Sequence, residues 1–251
     1  MNQYVYVCGI RFFVCDYAFL TSVINKRRKK KTIIAPLATH PVVEAQFDSK
    51  LKKIYNDMAY VVPDGYVVWA IQFLYRITSQ ERIYGPELLI KTCKACEESH
   101  TTIFLCGNNC DVLRKKLRRL FPHLEIAGAF DLQQQKIDIA SINAIQNAIE
   151  KTKASIVLIG IGSPSQHILA SRLNVDKTIV CVGAGFNIVS GWEKQAPVWM
   201  RENGLEWAYR LIQSPKRLWK RYLIFGPLFL FFVARDRLFH PSHRPFTKES
   251  R

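Results

Sequence analysis

The feature that most constrains the fold is an alternation that begins at Thr32. Short runs rich in β-branched and apolar residues read as strands at Thr32–Ala35, Met58–Val62, Thr101–Cys106, Leu124–Ala129, Ser155–Gly160 and Thr178–Val182. Between them lie stretches with helical spacing: Val42–Asn56, Val67–Ile77, Leu88–Glu98, Cys110–Leu120, Ile139–Thr152 and Gln166–Leu173. A helix between two strands carries the chain back over the sheet, so the strands run parallel and both faces become covered. Residues 1–25 read as a strand and then a helix leading into the same core. The basic run Lys26–Lys31 reads as a solvated loop, and no internal repeat interrupts the pattern.

The expected class is therefore α/β: a Rossmann-like parallel sheet with helices on both faces, followed by a helical, basic C-terminal appendage. The catalytic α/β domain is expected over 1–195 and the appendage over 196–251. The change of character falls near Trp192. From there to the end, 12 lysines and arginines face 5 acids. The stretch Leu223–Val233 is too short to cross a bilayer and too apolar to face water. Flanked by Arg, Lys and Trp, it fits an interfacial membrane anchor better than a strip packed on its own domain.

Tyr60-Val61-Val62-Pro63-Asp64-Gly65 is a strand that ends in a carboxylate on a tight turn. Ligands of open α/β sheets bind beyond the carboxyl ends of the strands, where an Asp can serve as a base. Taken alone, the segment favours an Asp that merely caps the next helix. Three further strand exits shift the balance toward a base: Leu105-Cys106-Gly107-Asn108-Asn109, Leu158 to Gln166 through Gly160 and Gly162, and Val182-Gly183-Ala184-Gly185-Phe186-Asn187. One glycine turn is commonly structural. Three on one sheet edge suggest a nucleotide-sized ligand whose phosphates meet backbone N–H groups at Gly107, Gly162 and Gly185.

The composition narrows the classes. A net charge of +16 calls for a polyanionic partner: nucleic acid, an anionic membrane or a phosphorylated substrate. The seven cysteines sit mostly inside apolar elements and read as reduced, buried thiols, Cys93-x-x-Cys96 included. No D-x-D pair or His/Asp/Glu cluster is present, so no metal and no cofactor are expected; arginines such as Arg82 would neutralise a diphosphate instead. No G-x-G-x-x-G supports a nicotinamide site, and no G-x-S-x-G or Cys/His pair supports a hydrolase. A basic α/β protein that binds nucleic acid or nucleotide stays open as an alternative, on charge alone.

Several blocks occur together in one order: Pro63-Asp64-Gly65; Arg82-Ile83-Tyr84-Gly85-Pro86-Glu87-Leu88; Gly160-Ile161-Gly162-Ser163-Pro164-Ser165-Gln166; Val182-Gly183-Ala184-Gly185-Phe186; Gly204 to Leu211; and Pro215 to Tyr222. In these the chain resembles the WecG/TagA/CpsF family of bacterial glycosyltransferases, collinearly from Thr32 to Tyr222. The resemblance implies an inverting, metal-independent transfer from a UDP-sugar to a polyprenyl-diphosphate-linked saccharide. It places the work at the inner face of the bacterial cytoplasmic membrane, in cell-surface polysaccharide synthesis, with a peripheral cytoplasmic enzyme, no nucleic-acid partner and a possible homo-oligomer.

The resemblance also assigns residues. Asp64 is the base; Arg82 and Gln166 line the cleft; Arg210, Arg217, Lys220 and Arg221 close over the diphosphate and hold the chain to lipid. Three departures bear on donor and acceptor identity. Where the family often shows Thr-x-Asn, this chain has Thr39-His40-Pro41, so His40 either takes that polar role or is structural. His167 replaces a Glu, and Asn187 replaces an Asp.

Overall fold

A computed structural model describes residues 3–26, 30–78, 80–132, 137–239 and 246–247. The chain opens with β1 (Gln3–Val7), β2 (Ile10–Val14) and α1 (Tyr17–Asn25). The alternation then runs β3 (Thr32–Leu37), α2 (Thr39–Phe47), α3 (Ser49–Asp57), β4 (Tyr60–Pro63), α4 (Tyr66–Tyr75) and α5 (Gly85–Glu98). It continues with β5 (Ile103–Gly107), α6 (Cys110–Leu120), β6 (Ile126–Asp131), α7 (Ile139–Glu150), β7 (Ile156–Gly160), α8 (Ser165–Arg172), β8 (Thr178–Cys181) and α9 (Gly185–Ser190). Helices α10 (Val198–Glu202), α11 (Glu206–Gln213) and α12 (Pro215–Trp219) follow, then a π-helical turn (Lys220–Ile224), α13 (Phe225–Phe239) and β9 (Phe246–Thr247).

The main sheet has six strands in the order β4-β3-β8-β7-β5-β6, every neighbouring pair parallel. Period-two alternation splits each strand between two cores. Ile33, Ala35, Leu37, Val157 and Ile159 face a layer built from α2, α3, α4, α7, α8 and α13. Ile34, Ile156 and Leu158 face a layer built from α1, α5, α6 and α9. Because all six strands point the same way, the turns after β3, β4, β5, β7 and β8 share one edge. That edge gathers His40, Asp64 and the three glycine turns.

Four expectations need correction. Residues 1–25 hold a hairpin, not a single strand: β1 and β2 pair antiparallel and, with β9, form a separate three-stranded sheet. The two-residue turn puts Cys8 at φ 53 and Gly9 at φ 70, as a primed turn requires, and the carboxylate of Asp236 accepts the Cys8 N–H at 2.6 Å. Cys-Gly lacks the usual Asn-Gly or Asp-Gly signature, so the turn is invisible in the sequence. Val42–Asn56 is two helices, not one. Asp48 adopts an extended conformation and caps α3, accepting from Lys50 N and Leu51 N at 2.9 and 3.0 Å.

In the basic run, 27–29 lie outside the described residues, and Lys31 is not merely solvated. Its ammonium donates to Ser171 O and Leu173 O at 2.8 and 2.7 Å, satisfying carbonyls at the end of α8. The apolar stretch Leu223–Val233 divides between both readings. Phe229, Phe232 and Val233 join the core, while Leu223, Ile224, Leu230 and Phe231 are exposed. Among the described residues, no helix is long and apolar enough to cross a membrane. All seven thiols are free, and all but Cys15 are buried.

Candidate active site

The position of Asp64 follows from the end of β4. Its N–H donates to Leu37 O at 3.0 Å, which pins the turn to the last residue of β3. Gly65 then takes φ 58 and ψ −134, a conformation that a side chain would strain, and starts α4 with no side-chain cap. The carboxylate of Asp64 is thus not spent on capping. Oδ1 accepts from Arg82 Nε at 2.7 Å, and the side chain remains 19% exposed. No hydrogen bond holds Oδ2 among the described residues.

Arg82 reaches Asp64 because its segment adds onto the strand end: Ile83 N–H donates to Pro63 O at 3.0 Å, and Tyr84 N–H donates to the hydroxyl of Tyr17 at 2.8 Å. The guanidinium lies 4.5 Å from the Tyr84 ring centroid, and its Nη2 meets Oε2 of Glu206 at 2.8 Å. The other oxygen of Glu206 accepts from the Tyr84 hydroxyl and from Arg210 Nη2, both at 2.8 Å; Arg210 also donates to the Tyr84 hydroxyl at 3.0 Å. Two acids and two arginines form one balanced network that ties α11 to the sheet edge. Burial opposes charge on Glu206, yet Arg210 and Arg82 together hold its carboxyl below the ordinary value. Burial lowers both arginines, but the facing carboxylates outweigh it for Arg82, as Tyr84 and Glu206 do for Arg210. Burial pushes the Tyr84 phenol up to about 12.

The sequence pattern did not single out Glu206. The available signal was Glu206-Trp207-Ala208-Tyr209-Arg210, an acid one helical turn before a base.

The glycines have packing reasons as well. A Cβ on Gly107 would lie 2.7 Å from the Phe186 ring and 2.8 Å from Gly160 O. A Cβ on Gly160 would strike the same ring. Gly107 and Gly185 are buried; Gly162, at φ 82, faces open space. Gln166 is 2% exposed and bridges two turns: Oε1 accepts from Gly183 N at 2.8 Å, and Nε2 donates to Ser163 Oγ at 3.4 Å.

Thr39 is half-buried and His40 buried, both at the start of α2. Burial, then the nearby Arg221, lowers His40, and burial holds His167 at about 3, so both imidazoles are neutral. His167 approaches Gln166 Nε2 at 3.2 Å and packs edge-on against Tyr55. Nε2 of His40 is buried without a partner among the described residues.

Among the described residues, the remaining basic residues make no ion pair with Asp64. Asn187 donates to Glu193 at 3.2 Å, and Arg217 pairs with the same carboxylate at 3.2 Å. Lys220 sits 5.6 Å from the Trp219 ring centroid. Arg221 is half-buried, and burial lowers its basicity against the opposing pull of Tyr222 and Glu44, with Arg210 and Arg217 adding repulsion. Among the described residues no three His, Cys, Asp or Glu side chains gather as a metal site. A cavity of about 480 Å³ is lined by Arg82 together with Tyr17, Glu81 and Lys91. Asp64 and the glycine turns are not part of its lining, so volume alone would point away from the strand ends.

The family model for the glycosyl transferase WecG/TagA/CpsF family matches residues 5–243. The chain belongs to this family. It is 30% identical over 176 residues to the N-acetylglucosaminyldiphosphoundecaprenol N-acetyl-beta-D-mannosaminyltransferase of Bacillus subtilis (strain 168), covering 68% of this chain and 66% of the relative. The enzymes of the same name from Bacillus spizizenii and Staphylococcus aureus (strain MW2) are 26% and 25% identical, over 72% and 74% of this chain and 70% and 72% of theirs. Membership favours a transferase over the nucleic-acid alternative.

Proposed function

We propose that this family member transfers a sugar from a UDP-sugar to a polyprenyl-diphosphate-linked saccharide, inverting the anomeric centre, with Asp64 as the base. The observation that carries this reading is one carboxylate at the strand edge, held through Oδ1 by Arg82, with no hydrogen bond to Oδ2 among the described residues. Oδ2 takes the proton of the acceptor hydroxyl; that oxygen forms the new bond to the anomeric carbon; the bond to the diphosphate breaks on the opposite face, and its electrons leave with UDP. Cationic groups and turn N–H groups stabilise the growing diphosphate charge. Arg82 and Arg210 are already balanced by Asp64 and Glu206. The surplus positive charge therefore comes from Lys220 and Arg221, which form no salt bridge among the described residues, although Glu44 acts on Arg221 from beyond contact distance. Gly162 has room beside it for a phosphate.

Residues 196–251 act as the membrane-associating appendage. Its exposed stripe, Leu223, Leu230, Phe231 and Leu238, recurs at helical spacing beside Arg235, which favours the anionic inner surface of the cytoplasmic membrane. The relatives' names supply the acceptor chemistry, a diphosphoundecaprenol carrying N-acetylglucosamine. A screen of UDP-glucose, UDP-N-acetylmannosamine and its uronic acid, with short-chain lipid diphosphate acceptors and with or without chelator, tests the proposal. Transfer that resists chelation supports it. No transfer from any UDP-sugar, or transfer strictly dependent on added magnesium or manganese, contradicts it.

A further inference from the structure

We propose that Glu206 is a positioning residue that keeps Oδ2 of Asp64 free by holding the Nη2 of Arg82. The proposal rests on the reading of Asp64 as base. Arginine commonly grips a carboxylate with two parallel N–H bonds, one to each oxygen. On the Nε side of the guanidinium, the two donors for such a grip are Nε and Nη2. Here Nε meets Asp64 Oδ1 at 2.7 Å, but Nη2 is drawn 2.8 Å to Glu206 Oε2. Asp64 is therefore held by one bond, not two. Glu206 is itself fixed: its helix neighbour Arg210 and the Tyr84 hydroxyl occupy its second oxygen, and it is 6% exposed. The carboxylate belongs to α11 and the base to the end of β4. Docking of α11 is thus what selects the single-bond geometry. Without Glu206, the planar guanidinium turns about its Nε contact until Nη2 meets Oδ2 in the paired grip, and the oxygen that must accept the proton is tied up.

The test is a double-mutant cycle on the full chain with Glu206→Gln and Asp64→Asn. Single-turnover transfer and UDP binding by calorimetry are both read. Glu206→Gln should lower the transfer rate about 10- to 100-fold, the range of supporting residues around a reacting group. UDP affinity should stay within about threefold, because the altered contact is to the base. In the Asp64→Asn background Glu206→Gln should change the residual rate less than about twofold, since its target is gone. Equal fractional losses in both backgrounds, or parallel losses of UDP binding and rate, would assign Glu206 a purely structural role and overturn the proposal. If Glu206→Gln fails to fold, Tyr84→Phe replaces it in the same cycle: it removes the hydroxyl that donates to Glu206 and accepts from Arg210, and the same non-additivity is required. Full activity of Asp64→Asn alone is a different result; it overturns the assignment of the base, whatever Glu206 does.

Discussion

Substituting Gly160 by Ala should destabilise the fold through one contact, the ring of Phe186. All three atoms nearest to a Cβ at Gly160 belong to that ring, one of them at 2.8 Å and two closer still, where ordinary contact begins near 3.4 Å. Gly160 closes β7 and lies in register with Gly107 of β5, so neither backbone can retreat cheaply. Overpacking of this kind costs about 1–3 kcal/mol, and this site belongs at the upper end. For a chain of this length that is a fall in melting temperature of about 6–12 °C. Phe186→Ala alone should cost about 3–5 kcal/mol through the cavity it leaves. The double variant should be no less stable than Phe186→Ala, because the clash leaves with the ring. Denaturant unfolding of the four proteins measures this. Losses that add to within about 0.5 kcal/mol would refute the packing argument. Wild-type stability of Gly160→Ala, with UDP binding lost, would instead reserve the glycine for ligand.

Arg82→Lys should keep the charge but not span Asp64 and Glu206. Since Arg82 is a third exposed, the loss is about 1–2 kcal/mol, with turnover at least about tenfold lower, read by calorimetric melting and transfer assay. His167 titrates at about 3 in the fold against 6.5 for the free side chain, so the unfolded chain binds the extra proton. Its contribution is complete above pH 6.5 and falls by about 1.4 kcal/mol per unit as pH drops toward 3. His167→Leu should flatten the stability–pH slope between pH 6 and 4.5 by that amount; an unchanged slope would mean the imidazole is not buried neutral. Leu230→Asp with Phe231→Asp should cut co-sedimentation with phosphatidylglycerol vesicles at least about tenfold and leave melting within about 1 °C, because both side chains face solvent. Undiminished sedimentation would remove α13 from the membrane contact.

The α/β class was readable because short apolar runs alternate with helical spacing: Ile156 to Ile159 is apolar throughout because both faces of its strand are buried. Boundaries were less readable where one side chain decides them. Asp48 breaks a continuous helical pattern by offering its own oxygen to two N–H groups, and Cys8 accepts a positive φ that its residue type does not advertise. Asp64 and Arg82 stood out in the sequence because a strand end and a family block flank them. Glu206 did not, because its importance lies in a contact 124 residues away. The glycine turns illustrate a mixed outcome. They share the expected edge, yet Gly107 and Gly160 also make room for Phe186, a reason no single-sequence pattern carries. The apolar stretch of the tail likewise could not be apportioned in advance, since Phe232 and Phe231 are neighbours with opposite fates.

The most direct test is an Asp64→Asn enzyme with unchanged melting, assayed for sugar transfer from UDP-sugars to a short-chain polyprenyl diphosphate acceptor. Removal of a single base should lower turnover about 10²–10⁴-fold while UDP still binds. Turnover within a few-fold of the parent enzyme would contradict the central claim that this carboxylate takes the acceptor's proton.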